Sequence, residues 1–182
     1  MRREIMFPQQ ADEQPLVQAL CEVGLDLNSV WDLVLIRESY PQAIPILIEH
    51  LDHPYSPKTK EGIARALTVD EAKGVAWSAL LAEFCKETDL SHRPNDMMKF
   101  ALANALSFIS DSAVLDDVLE LVQDQRHGDN RYILVSCLWL YDDEKVLRVL
   151  EKLTGDKEEP VVKEANITLD KLRRRQAKSE RT

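Results

Sequence analysis

The sequence has few of the residues that mark several common protein classes. Its 182 residues include five Gly and three Cys, and only 6% are aromatic. The cysteines are widely spaced and form no C-x-x-C pair, which indicates neither a disulfide framework nor a zinc site. We expect Cys21, Cys85 and Cys137 to be small buried side chains. The four histidines complete no ligand pattern, so we predict no metal and no cofactor.

Long hydrophobic runs are also missing. Apolar stretches such as residues 33–36 and 133–135 are far shorter than the roughly 20 residues that a membrane-spanning helix needs. The N-terminus, MRREIMFPQQADEQ, has no apolar run long enough for a secretory signal. We therefore predict a cytoplasmic protein with no membrane association.

The composition favours a folded helical domain. The chain is 45% hydrophobic and 30% charged, which is typical of a globular protein and argues against disorder. Leu, Ala, Glu and Lys are abundant and β-branched runs are few, so the predicted fold class is all-α. The length fits one domain.

The net charge of −9 is unevenly distributed. Residues 171–182 carry six Lys or Arg and one Glu, a net +5, so the other 170 residues carry −14. An acidic body repels phosphate backbones, which makes nucleic acid an unfavourable partner. The basic end either contacts nucleic acid or an acidic partner, or is a solvated helix end whose cations suit the helix dipole.

Large apolar residues recur in pairs along the chain. The two members lie 16 residues apart in four pairs and 22 apart in the third, whose six extra residues predict a loop insertion at 88–95. Most of these residues follow other apolar residues by three and four positions, which is typical of one helical face. The pairs predict five helical hairpins: Leu20 and Ile36, Leu51 and Leu67, Phe84 and Leu106, Val122 and Leu138, and Leu153 and Leu169.

In the last four predicted hairpins, the second helices share one pattern. A small residue precedes the terminal apolar residue, and an apolar residue lies four positions before it. A hairpin with one apolar stripe per helix cannot bury both stripes alone, so neighbouring hairpins must stack. The small residues are Ala66, Ala105, Cys137 and Thr168, and the apolar ones are Ile63, Leu102, Leu134 and Ala165.

The segment AIPILIEHLDH followed by KEGIARAL resembles a HEAT repeat, and residues 160–169 resemble the second helix of another. The resemblance extends over residues 12–174. It implies one right-handed α-solenoid domain of about five HEAT-like hairpins, with an N-terminal extension at 1–11 and a basic C-terminal tail at 175–182. HEAT proteins are usually scaffolds or binding modules.

Basic residues occupy one position of three predicted second helices: Lys60, Lys99 and Arg131. Taken alone, such a ladder is compatible with an anion-binding stripe. The HEAT resemblance implies instead a structural role, in which each cation pairs with a turn carboxylate of its own or the next repeat. The candidate partners are Asp52, Asp96 and Asp129.

The same resemblance implies that the second helices form a concave inner face. Positions six and two before each terminal apolar residue then point into it, and these include Glu61, Lys163 and Ile167. Aromatic and polar side chains in this column have the composition of a binding site; the alternative is that Phe100 and Tyr132 pack between repeats. The predicted partner-binding residues are Arg65, Phe100, Asn104, Tyr132, Ser136 and Trp139.

Acidic residues concentrate on the first helices, on the implied convex face. We expect a solvated surface, with mimicry of nucleic acid toward a basic partner as the alternative. The residues are Glu49, Glu83, Asp116, Asp117, Glu120, Asp143, Glu144 and Glu151.

Common enzyme motifs are missing from the sequence: it has no G-x-S-x-G, H-E-x-x-H, Walker A or G-x-G-x-x-G. We therefore predict a non-enzymatic protein-interaction module that binds a protein partner through its concave face. Two alternatives remain, a HEAT-like enzyme such as a phycobilin lyase or alkylpurine DNA glycosylase, and an acidic immunity-type protein that neutralises a basic toxin. The partner's identity, the oligomeric state and the role of the insertion stay open.

Overall fold

The computed structural model describes residues 8–86 and 97–179, apart from the side chains of residues 8–11 and 179. This part of the chain contains ten α-helices and no β-strand, which confirms the predicted all-α class. None of its helices is both long enough and apolar enough to cross a membrane. The 88–95 insertion and Asp96 lie outside the described residues.

The helices alternate along the chain between two rows. The first row contains α1 (Pro8–Glu22), α3 (Ile44–Leu51), α5 (Trp77–Lys86), α7 (Leu115–Gln123) and α9 (Glu144–Leu153). The second row contains α2 (Val30–Leu35), α4 (Pro57–Ala66), α6 (Met97–Ile109), α8 (Arg131–Cys137) and α10 (Glu159–Ser179). Short 3₁₀ turns precede or follow several of them.

Local sequence signals explain several helix starts. The Ser29 side chain caps α2, and the Asp32 carboxylate accepts a hydrogen bond from the Ser29 backbone N–H, which completes a capping box. Ser56 caps α4 and is followed by Pro57 at the first helical position. Asp143 caps α9. These caps fix the first residues of three helices.

Each helix of the second row contacts the next, so that α2, α4, α6, α8 and α10 form a continuous series. In the first row α1 contacts α3, α3 contacts α5, and α7 contacts α9. The two helices of every hairpin also contact each other. Hairpins are therefore packed against their neighbours in sequence order.

The residues that are buried are those that recur in the apolar pattern of the sequence. Of the ten terminal apolar residues that define the hairpins, nine are buried and Ile36 is partly buried. The small and apolar positions of the second helices are buried as well, including Ala105 and Thr168. The core thus lies between the two rows and continues through all five hairpins.

Charge is divided between the rows. The second-row helices contain eleven Lys or Arg and five Asp or Glu, a net +6, whereas the first-row helices contain four and ten, a net −6. A molecule that is acidic as a whole therefore has one helical row that is basic. Since Lys99 and Arg131 are fully buried, the basic surface of the second row comes from α4 and α10.

The cysteines differ from the sequence prediction. Cys21 and Cys85 are exposed, and only Cys137 is buried, because the first two fall on the outer side of α1 and α5 rather than on the apolar stripe. Helix α10 continues to Ser179, so the described part of the basic 175–182 segment is a helix end.

Candidate functional site

The basic ladder of the second helices is directed into the protein. Lys60 donates to Glu83 at 2.5 Å, which links α4 to α5. Glu83 also binds Lys86, and Lys86 in turn binds Asp52 at 2.5 Å. Asp52 is therefore the partner of Lys86 and not of Lys60, and Glu83, which we expected on a solvated surface, is buried in an ion-pair network.

Lys99 is fully buried beside the end of α5. Its Nζ donates to the carbonyl of Phe84 at 2.5 Å, lies 4.0 Å from the centre of the Phe84 ring, and contacts Nδ1 of His127 at 3.2 Å. Because an ammonium group can only donate, His127 Nδ1 is the acceptor and its proton lies on Nε2. Nε2 is 3.6 Å from Asp124.

Arg131 is also fully buried and binds Asp156, in the turn before α10, instead of the nearer Asp129. It further donates to the carbonyls of Val122 at 3.0 Å and Gly128 at 2.7 Å. Gly128 has a φ of +62°, a conformation that a glycine adopts without strain. The three ladder cations thus join neighbouring hairpins and are not exposed to an external anion.

The predicted inner column is partly exposed. Asn104 is exposed, whereas Phe100 and Tyr132 are half-buried against the core. Ser136 donates back to the Ile133 carbonyl at 2.6 Å. Arg65 donates from Nε to Glu61 at 2.9 Å. The column therefore offers a polar and aromatic surface whose side chains are already held in place.

Glu61 differs from the sequence prediction, which placed it on the inner surface. It is 4% exposed because it binds two cations of its own helix, Lys58 at 3.0 Å and Arg65 at 2.9 Å. Lys58 also lies over the Trp31 ring at 3.8 Å. The outer surface of this cluster is therefore cationic.

Trp139, which we predicted to border the inner face, lies in a short 3₁₀ turn (Leu138–Leu140) after α8 and is 46% exposed. Its ring forms one wall of a groove of about 530 Å³ between this turn and α10. The other lining residues are Lys171, Leu172, Arg174, Arg175 and Lys178. We name this feature the Trp139 groove.

The α10 cations of the Trp139 groove were not predicted as site residues. Arg175 and Lys178 were assigned to the basic tail at 175–182 and Lys171 and Arg174 to the repeat domain, yet these four positions have the i, i+3, i+4, i+7 spacing of one helical face. Treating residues 171–178 as one helical face would have found them. The groove therefore combines one predicted aromatic residue with four cations that the sequence placed elsewhere.

Arg175 fixes the geometry of the Trp139 groove. Its guanidinium donates to the carbonyls of Trp139 at 2.7 Å and Tyr141 at 2.9 Å, and lies 3.6 Å from Asp142. Tyr141 is buried and donates its hydroxyl to the Asp111 carbonyl at 3.1 Å. The turn that carries Trp139 is thus attached to α10 and to the preceding hairpin.

A second, smaller pocket of about 170 Å³ lies beside α7 and contains Cys85, Asp124 and His127. Burial raises the pKa of the Cys85 thiol, which disfavours the thiolate that nucleophilic catalysis needs. Within the described chain no hydrogen bond joins Cys85 to His127. This trio therefore lacks the geometry of an activated nucleophile.

Metal chemistry has no candidate centre either, since residues 8–86 and 97–179 contain no group of three His, Cys, Asp or Glu suited to an ion. Comparisons with protein families, with curated proteins and with solved structures gave no match to this chain. The assignment of a function therefore rests on the geometry described above.

Proposed function

We propose that the protein is a non-enzymatic interaction module that binds a protein partner through the inner face of its second helices. The helix pairs are proposed to form a HEAT-like α-solenoid, in which this row lines the concave side. The observation that carries the proposal is the basic second row of a chain with net charge −9.

The accessible side chains of this row support binding. Asn104, Lys163 and Trp139 are exposed, and Phe100 and Tyr132 are half-buried beside them. Aromatic residues next to polar and cationic groups are enriched at interface hot spots. The acidic first row lacks this combination at its surface, since the aromatic residues of its helices, Trp77 and Phe84 in α5, are both buried.

Preorganisation supports the same proposal. Arg65 is held by Glu61, and the turn with Trp139 is held by Arg175. Side chains that are ordered before association lose less conformational entropy when a partner binds. A rigid row is therefore suited to a binding role.

The test is capture of partners from native lysate by tagged protein in three forms: the wild type, Asn104→Glu on the second row, and Ala82→Glu on α5 in the first row. Both substitutions add one carboxylate at an exposed helical position. We expect one co-purifying protein to be recovered with the wild type and Ala82→Glu and lost with Asn104→Glu. Recovery that is unchanged by Asn104→Glu and lost with Ala82→Glu would assign binding to the other face and contradict the proposal.

A further inference from the structure

The Trp139 groove combines an exposed indole with basic side chains, and we infer that it binds an acidic segment of a protein partner. In this arrangement Trp139 contacts an apolar side chain of the segment, while Lys171 and Arg174 bind its carboxylates. The inference rests on the proposed function and adds the chemical class of the ligand.

Two of the groove's cations, Lys171 and Arg174, differ from most exposed cations of the chain. Arg126, Lys145 and Arg148 each lie within 3.0 Å of a carboxylate. Lys171 and Arg174 are exposed on α10, and among the described residues their side chains have neither an ion pair nor a hydrogen bond. In a protein with net charge −9, two such cations side by side favour an external anion.

Trp139 also differs from the other two tryptophans. Trp77 is 8% exposed and donates to Asp117 at 2.9 Å, and Trp31 is partly buried beneath Lys58. Trp139 is 46% exposed, and the groove that it lines also contains the buried Leu172. A partly exposed indole beside an apolar lining residue is a typical anchor for an apolar side chain.

The groove favours a peptide over a nucleic acid. Two exposed carboxylates are close to it in the chain: Asp142 follows the turn and lies 3.6 Å from Arg175 of the groove, and Asp170 directly precedes Lys171 on α10. These carboxylates repel the closely spaced charges of a phosphate backbone, whereas a peptide can place neutral residues opposite them. Carboxylates on a protein segment can be spaced to meet Lys171 and Arg174 alone.

The test is fluorescence anisotropy with two labelled probe peptides, one of Asp, Glu and Phe residues and one in which Ser replaces each Phe. A single-stranded thymidine oligonucleotide is the third probe. We expect the Phe peptide to bind the wild-type protein more tightly than the Ser peptide, with an affinity that decreases as salt increases. The oligonucleotide is expected to bind more weakly than either peptide.

Three variants separate the contributions. The double variant Lys171→Glu, Arg174→Glu is expected to lower the affinity for the Phe peptide by about tenfold or more. Its matched control, Lys145→Glu with Arg148→Glu on α9, should bind as the wild type does. In Trp139→Ala the preference for the Phe peptide over the Ser peptide should be lost, an outcome that a merely structural role of Trp139 would not produce. Helical circular dichroism confirms that each variant is folded.

Three results would overturn the inference: absence of peptide binding, equal weakening in the α9 control, or tighter binding of the oligonucleotide. Its failure is distinguishable from failure of the proposed function, because lysate capture depends on Asn104 in α6, outside the groove. If peptides do not bind but Asn104→Glu abolishes capture, the interaction module stands and the ligand class assigned to the groove is wrong.

Discussion

Arg131 and Asp156 form a bidentate ion pair, with Nη1 donating to Oδ2 and Nη2 to Oδ1, each at 2.8 Å. The pair joins α8 to the turn before α10, and both side chains are buried, at 0% and 6% exposure. The Arg131 hydrogen bonds lower the pKa of Asp156 from its ordinary value. A planar guanidinium matches a carboxylate in a way that a lysine ammonium does not.

Replacing one partner of this pair is expected to destabilise the last hairpin. Asp156→Asn leaves the Arg131 charge buried without its counterion, and Arg131→Lys cannot make the parallel bonds. We expect either change to lower the free energy of unfolding by about 3 kcal/mol, measured by urea denaturation. The matched control is Arg173→Gln, which removes an exposed pair with Glu151 at 2.9 Å. That change should cost less than about 1 kcal/mol, and an equal loss at both sites would contradict the role of burial.

The free energy of unfolding should decrease as the pH falls, because His127 titrates differently in the folded and unfolded protein. Burial, and next the charge of Lys99, lower its pKa to about 4. The unfolded chain takes up a proton at this histidine below about pH 6.5, whereas the folded protein keeps it neutral until about pH 4. The unfolding free energy therefore falls between pH 6.5 and 4, by roughly 1–2 kcal/mol at pH 5 relative to pH 7.

His127→Asn keeps an acceptor for Lys99 and removes the titration, so its unfolding free energy should depend less on pH in this window. Urea denaturation of both proteins at a series of pH values measures the difference. Parallel curves for wild type and His127→Asn would show that His127 does not titrate as described.

Gly62 sets the distance between α2 and α4. A Cβ at this position would lie 2.6 Å from Val30 Cγ1 and 3.0 Å from Trp31 Nε1. Gly62→Ala should therefore destabilise the protein by about 1–3 kcal/mol, although alanine is the better helix former by about 1 kcal/mol. At Gly155 a Cβ would meet only the Lys152 carbonyl, at 3.7 Å. Thermal unfolding should show a lower Tm for Gly62→Ala alone, and a neutral Gly62→Ala would mean that α2 moves aside freely.

The three thiols should differ in reactivity. Cys21 and Cys85 are exposed, and Cys137 is buried. We expect a colorimetric thiol reagent to modify two groups in the native protein and the third only after unfolding in guanidinium. Although the Cys85 residue is exposed, partial burial of its thiol raises its pKa, so its modification should accelerate as pH increases above neutrality. Variants with Ser at each cysteine assign the phases, and a fast reaction of Cys137 would contradict the packing of α8.

The sequence predicted the helical core well and the polar interior poorly, for physical reasons. The spacing of apolar residues along a helix identifies core positions such as Leu67 and Leu138, because each helix must bury its own apolar stripe. The partner of Arg131 is 25 positions away in the chain, and the nearer Asp129 was the better guess from spacing alone. Glu61 was expected outside and is buried, because two cations within four residues of it satisfy its charge.

The predicted binding residues show the same contrast. Trp139 was predicted near the inner face from its position after the apolar stripe, and its side chain is exposed. Its neighbours on α10 were missed because Lys171 and Arg174 were not at the predicted inner-face positions and residues 175–182 were treated as a separate tail. Which side chains meet across two helices depends on the packing of α8 against α10, and no single helix determines that.

The opposite charges of the two helical rows have a kinetic consequence. A basic row packed against an acidic row forms a dipole across the width of the molecule, which turns the protein in the field of an approaching acidic partner. More encounters then begin with the second helices facing that partner. Association should accordingly slow as ionic strength rises, while the lifetime of the formed complex, which depends on contacts already made, changes less.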